Sequence, residues 1–172
     1  MAFERYLHGL WSLGWLDLLA ALTADFGLYA CASVLLIAIV RRRPTGFVLP
    51  FAIAAIVAIA LDAIAGLAYN DQRPFVMLGV SPLVAHGIDN GFPSDHSAAA
   101  AFIAVALLFI DVPLGFVACT IAVALGIARL YCLLHWPIDV VAGWTVGALP
   151  ALVAGLALRR ARTPVVRPPS HT

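Results

Sequence analysis

Long apolar runs, each closed by a short polar segment, set the pattern of this chain. The first extends from about Leu16 to Val40 and stops at Arg41-Arg42-Arg43-Pro44. The second covers about Phe47 to Tyr69, and a polar loop bearing Pro and Gly follows from Asn70 to about Phe92. The third starts at Ser94 and ends at Asp111-Val112-Pro113, which predicts a tight turn. The fourth takes about Leu114 to Leu134 and the fifth about Ile138 to Leu158. Runs of this length suit helices that cross a hydrocarbon layer of about 30 Å. Residues 1–15 are amphipathic and carry Trp11 and Trp15, the pattern of a helix lying in the membrane interface or forming part of a sixth span. The expectation is an all-α membrane protein, a bundle of five to six transmembrane helices. Residues 1–158 would form one membrane-embedded domain, and 159–172 a basic, Pro-rich, disordered tail.

Composition narrows this further. At 172 residues and 63% hydrophobic, the chain is too apolar for an ordinary soluble domain. No basic stripe with interleaved aromatics points to nucleic acid. Cys31, Cys119 and Cys132 fall in apolar runs, as small core residues do, and their spacing fits neither a metal site nor a disulfide framework. Glu4, His8 and Asp17 interrupt the N-terminal segment, which is unlike a cleavable signal peptide.

Charge placement orients the bundle. All ten basic residues are Arg. Arg41, Arg42 and Arg43 share one loop, and Arg159, Arg160, Arg162 and Arg167 share the tail. Five spans put that loop and that tail on one side, the cytoplasmic one by the positive-inside rule. The 70–93 loop and the joint at Leu134–Pro137 then face outward. Arg73 and Arg129 sit at this outer boundary against the rule, so something other than topology must account for them.

The other chemistry-bearing residues gather at the same boundary. Pro93-Ser94-Asp95-His96 opens one helix, with Ser94 as a plausible N-cap. His135-Trp136-Pro137 opens another, with Pro137 near the first helical position. Two helix N-termini with free N–H groups attract an anion such as phosphate. Arg73 and Arg129 add planar donor forks suited to phosphate oxygens. His135 and Asp139 are four apart, so the carboxylate could accept the Nδ1–H and leave Nε2 as a nucleophile. His96 could protonate the departing oxygen. Ionisable groups at bilayer depth are costly, and separate structural reasons for all of them on one side are hard to supply. Together they suit an enzyme that removes phosphate from a lipid.

Several residues carry a plainer reading. Capping is the default for Ser94, and an arginine near a helix end, such as Arg129, commonly snorkels to the headgroups. Asp95 and His86 are secondary candidates, His86 reading as a solvated loop residue. Asp25 and Asp62 lie inside the first two spans; a transporter would use them as ion ligands, and the plainer reading is of carboxyls bonded to nearby hydroxyls or backbone. Asp62 falls roughly 16 Å below Arg73, too deep to share its phosphate.

These strings resemble the three-part signature of the type 2 phosphatidic acid phosphatase superfamily. In that family motif one ends in Arg-Pro, and motif two reads Pro-Ser-Gly-His. Motif three is Ser-Arg, five residues, His, three residues, Asp. Arg73-Pro74 matches the first; Pro93, Ser94 and His96 match the second, with Asp95 in place of Gly. Arg129, His135 and Asp139 match the third, with Ala128 in place of Ser. The family's motif-one Lys falls at Gly66, and the chain has no Lys. The match covers roughly Gly66 to Asp139. The phrase Asp89-Asn90-Gly91-Phe92-Pro93-Ser94-Asp95-His96 is similar to the bacterial undecaprenyl pyrophosphate phosphatases of this superfamily.

The resemblance implies hydrolysis of a polyprenyl diphosphate to the monophosphate and inorganic phosphate through a phosphohistidine, in recycling of a lipid carrier. His135, His96 and Asp139 would be catalytic, and Arg73, Ser94 and Arg129 would bind phosphate. No cofactor is implied, and no carboxylate cluster suits Mg²⁺. The expected partners are the lipid substrate and the bilayer, in the plasma membrane with the site facing the periplasm or exterior. Phosphatidic acid, phosphatidylglycerol phosphate or another prenyl phosphate are alternative substrates. A non-enzymatic lipid-phosphate binding or transport protein is the alternative from another class.

Overall fold

The structure, a computed structural model, describes residues 14–162. They form six α-helices: α1 (Trp15–Arg42), α2 (Thr45–Ala68), α3 (Pro74–Leu78), α4 (Asp95–Ile110), α5 (Val112–Tyr131) and α6 (Pro137–Arg162). The five long ones match the five predicted spans to within a few residues, except that α6 continues to Arg162. Arg159, Arg160 and Arg162 thus belong to a helix end, and the tail beyond them lies outside the described residues. The interfacial helix expected over 1–15 also falls outside, except for Gly14 and Trp15, which begins α1. The 70–93 loop is more ordered than its composition suggested. It holds the short helix α3 and an antiparallel bridge between Gln72 and Asn90.

Helix α4 is the centre of the bundle. It packs chiefly on α6 and α5, then on α1 and α2, while α1 leans on α5 and α2 on α6. Its buried positions are small: Ser97, Ala98, Ala100, Ala101, Ala104 and Ala106, with Leu107 as the one large side chain. Small residues let backbones close up where lipid supplies no hydrophobic drive between helices. The α4–α6 crossing shows the limit of this. A Cβ on Gly147 would fall 1.9 Å from the Ala98 carbonyl oxygen, and one on Gly143 would fall 2.5 Å from that of Ser94. Only glycine fits there, and the close approach locks the start of α4 against the 143–147 stretch of α6.

Among the described residues, four helices are long and apolar enough to cross a membrane; α4, at 16 residues, is shorter, about 24 Å. Its depth explains why. Asp95, its first residue, lies against Asp62 of α2, and both line one cavity. Asp62 stands six residues before the end of α2, about 9 Å below it. So α4 begins below the rim of the bundle where α2 ends and still reaches the opposite one. The sequence reading of Asp62 is corrected by the same contact. The expected neighbour was a hydroxyl or a backbone group, and the group that meets Asp62 is the Asp95 carboxyl. The chain is a multi-pass membrane protein.

Candidate active site

Three loops converge at the N-terminal end of α4. Arg73, the N-cap of α3, is delivered by the 70–73 segment; Ser94 is the N-cap of α4; Arg129 stands on the last turn of α5, and His135 precedes α6. Arg73 and Arg129 are 5% and 3% exposed, His135 3%, and Ser94 and Asp139 are fully buried. Arg129 therefore does not snorkel to the surface.

The imidazole of His135 is the hub. Its Nδ1 lies 2.8 Å from the Gly91 carbonyl oxygen, which can only accept, so Nδ1 carries the proton. Its Nε2 then presents a lone pair. That lone pair faces Arg73 Nη1 and Arg129 Nη2, each 3.1 Å away. Burial, then the charges of Arg129 and Arg73, hold this imidazole down to a pKa of about 3. The ring is neutral, as a nitrogen nucleophile must be.

Asp139 does not take the place the spacing suggested. Its Oδ2 is 3.5 Å from His135 Nδ1 but only 2.8 Å from the Trp136 N–H, which donates to it. The carboxylate caps the first turn of α6, and the Gly91 carbonyl fixes the tautomer. The i,i+4 pattern correctly brought the two side chains together. It could not foresee a nearer backbone acceptor arriving from a loop 44 residues away.

Each guanidinium is shaped by its surroundings. Arg73 donates from Nε to Asp89 Oδ1 at 2.9 Å, from Nη1 also to the Leu134 carbonyl at 3.0 Å, and from Nη2 to the Asn90 carbonyl at 3.1 Å. Arg129 donates from Nη2 to His86 Nε2 at 2.9 Å, while its buried Nε has no hydrogen-bond partner. Asp89 is mostly exposed, and although burial opposes it, the Arg73 hydrogen bond and charge lower its pKa.

His86 is not a solvated loop residue. It touches Arg129, and its ring sits edge-on to that of His135 with centroids 6.4 Å apart. Burial, Arg73 and Arg129 keep it below its ordinary pKa. Nothing local in the sequence marks it, because Arg129 comes to it from another helix.

Ser94 occupies the N-cap of α4, but its side chain makes no capping bond. Its Oγ accepts instead from Ser97 Oγ at 3.0 Å, and its N–H donates to the Asp139 carbonyl at 3.1 Å. His96 is half-buried on the first turn of α4, within the electrostatic reach of Arg129 and His86. Asp95 points instead toward Asp62 at the mouth of an apolar cavity of about 370 Å³ between α2 and α4. Ala58 and Ile59 on one side and Ala98 and Phe102 on the other line it. Gly66, where the resemblance places a lysine, is packed under the loop that leads to α4. Among the described residues, no group of three or more His, Cys, Asp or Glu is placed to hold a metal ion.

The sequence pattern of the PAP2 superfamily matches residues 47–162, from the start of α2 through the last helix. The chain belongs to the PAP2 superfamily. Among PAP2-related proteins, the Bacitracin transport permease protein BcrC of Bacillus licheniformis is 38% identical over 101 residues, 58% of this chain and 50% of that protein. Undecaprenyl-diphosphatase BcrC of Bacillus subtilis is 28% identical over 136 residues, 78% of this chain and 70% of that protein. The chain thus spans about half the length of the first relative. The crystal structure of a transmembrane PAP2-type phosphatidylglycerolphosphate phosphatase from Bacillus subtilis superposes with a TM-score of 0.59 at 20% identity, covering 92% of this chain and 84% of that one. The two share a fold.

Proposed function

We propose that this PAP2 protein is a lipid phosphatase that hydrolyses a polyprenyl diphosphate, such as undecaprenyl diphosphate, to the monophosphate and inorganic phosphate. One observation carries the reading: a buried, neutral imidazole whose Nε2 lone pair faces two guanidinium groups, each at 3.1 Å. Two buried arginines around a neutral ring are built for a guest with negative charge. A phosphoryl group placed between them puts its phosphorus in reach of Nε2.

The chemistry follows. His135 Nε2 forms a bond to the terminal phosphorus as the bond to the bridging oxygen breaks. His96 gives a proton to that oxygen, so the polyprenyl monophosphate leaves. Arg73, Arg129 and the Ser94 hydroxyl hold the equatorial oxygens as charge builds on them. Water, giving a proton to His96, then cleaves the N–P bond, frees inorganic phosphate and restores the ring. His86 braces Arg129, and Asp139 braces the start of α6. The apolar cavity between α2 and α4, with Asp95 at its mouth, suits a hydrocarbon chain lying beside the headgroup.

The site faces the outer side of the plasma membrane in this reading. Arg42 and Arg159 lie at the end of the bundle opposite His135, with Asp111 and Phe109, so one end gathers the arginines that the positive-inside rule assigns to the cytoplasm. The described residues, 14–162, act as one membrane domain. Single cysteines at Val80 or Gly87, with the three native cysteines replaced, should react with an impermeant thiol reagent on intact cells. A cysteine at Thr45 should react only after permeabilisation. The opposite pattern overturns the orientation.

One relative is named for transport, of bacitracin, and a non-enzymatic protein that binds or transports a lipid phosphate is the second reading. Purified protein offered a panel of lipid phosphates and diphosphates separates the two. Release of phosphate, fastest from the polyprenyl diphosphate and absent in His135→Ala, is expected. Binding without release, unaffected by His135→Ala, contradicts the hydrolase.

A further inference from the structure

We infer that Asn90 is a positioning residue of this site: through its side-chain amide it holds the two loop carbonyls that aim Arg73 and set the tautomer of His135. The inference rests on the phosphatase reading above and extends it to a residue that touches no phosphate.

Asn90 lies half-buried between α2 and α4, and its amide is fully used. Nδ2 donates to the Gly66 carbonyl at 2.8 Å and to the Tyr69 carbonyl at 3.0 Å, both at the outer end of α2. Oδ1 accepts from the Asp71 N–H at 2.9 Å and from the Phe92 N–H at 3.0 Å. Two carbonyls on one side and two N–H groups on the other admit only this orientation of the amide. One side chain thus joins the end of a long helix, the segment that delivers Arg73, and the loop that leads into Ser94.

What it joins is the machinery itself. The Asn90 carbonyl accepts from Arg73 Nη2 at 3.1 Å, and the next carbonyl, Gly91, accepts from His135 Nδ1 at 2.8 Å. The Gly91 N–H in turn donates to the Asp71 carbonyl at 2.8 Å. If the 90–91 carbonyls drift, Arg73 loses one of its anchors. His135 loses the acceptor that keeps its proton on Nδ1. A ring protonated on Nε2 has no lone pair to offer phosphorus, so the fraction of reactive enzyme falls.

The seat is also sterically specific. A Cβ on Gly66 would fall 3.2 Å from the Phe92 carbonyl oxygen and 3.7 Å from Asn90 Nδ2. The loop can lie this low on α2 because position 66 carries no side chain. Asparagine suits position 90 because no other short side chain offers two donors and a two-lone-pair acceptor.

Four full-length proteins in detergent, wild type, Asn90→Ala, Asn90→Asp and His135→Ala, test this by steady-state kinetics with a polyprenyl diphosphate and by ¹⁵N spectra of the histidine rings. Asn90→Asp keeps both acceptor bonds and replaces the donor with charge facing two carbonyls. Misplacement of reacting groups by about an ångström costs on the order of 100-fold in rate. We expect kcat to fall roughly 10- to 100-fold in both Asn90 variants, with KM changed much less. The His135 resonances should move from the Nδ1–H form to a mixture of tautomers. Gly66→Ala, a gentler probe of the same seat, should lower kcat several-fold in a folded protein. Unchanged kcat and an unchanged His135 spectrum in the Asn90 variants overturn the inference. So does a loss of activity that only follows the unfolded fraction while folded protein keeps the wild-type His135 signal. Activity in His135→Ala would instead overturn the role of His135 beneath it, and wild-type protein that binds the diphosphate without releasing phosphate would overturn the phosphatase reading.

Discussion

Arginines gather at both ends of this bundle, and what they converge on differs. At the end opposite His135, Arg42, half exposed, donates from Nε to Asp111 Oδ2 at 2.8 Å, and Asp111 in turn accepts from the Leu114 N–H at the start of α5. Charge meets opposite charge, and the hydrogen bond from Arg42 lowers the Asp111 pKa. At the other end Arg73 keeps one carboxylate, the mostly exposed Asp89, on its Nε, but Arg73 and Arg129, both buried, also converge on the uncharged Nε2 of His135. Like charges brought together at low dielectric weaken the resting protein. The Arg42 arrangement ties α1 to the α4–α5 turn. In the proposed phosphatase, the arrangement around His135 is a site held for an anion.

The largest effect expected is at His135. His135→Ala should lower turnover more than about 1,000-fold, because it removes the atom that forms the bond. Phosphate release within tenfold of wild type in that variant would dissolve the contrast between the two ends. Arg129→Met should come next, with a loss of about 100-fold in kcat/KM. Its melting temperature should stay the same or rise, since a crowded buried charge is gone. Arg42→Gln should do the reverse, lowering the melting temperature by a few degrees and leaving kcat/KM within about twofold. If both variants lose activity and stability together, the ends do not differ in the way described.

A smaller effect is expected from pH. The folded His135 pKa, about 3, lies below its ordinary value of 6.5. The neutral ring therefore adds stability in full above 6.5, and this is lost as pH falls from 6.5 toward 3. Thermal melts in detergent across that range should decline, and His135→Gln should flatten the decline. A steeper slope in that variant would contradict a neutral ring. The smallest effect, roughly tenfold on kcat/KM, is expected for His86→Ala, which leaves Arg129 less firmly held.

The legible part of this molecule was whatever the chain encodes locally. Hydrophobic run lengths located the five long helices, and the motif spacings brought Arg73, Ser94, Arg129, His135 and Asp139 to one place. Contacts made between distant segments were not legible. His86 reads as a loop histidine until Arg129 arrives beside it. The proton on His135 depends on a carbonyl from the 89–93 loop, and no spacing rule counts carbonyls. The partner of Asp62 was not legible, because the depth at which α4 starts, and so brings Asp95 beside it, is set by packing against α2 and α6. The Asn90-Gly91 pair just before Phe92-Pro93-Ser94 was the one available hint of a tightly held turn.

The phosphohistidine is the most direct thing to look for. Wild-type protein mixed with a polyprenyl diphosphate labelled in its terminal phosphate, and quenched in alkali within the first turnovers, should carry acid-labile, base-stable label on the peptide containing His135. Mass spectrometry should place it on that ring, and His135→Ala should show none. Multiple turnovers with no labelled protein at any quench time, or label on a different residue, would contradict His135 as the nucleophile.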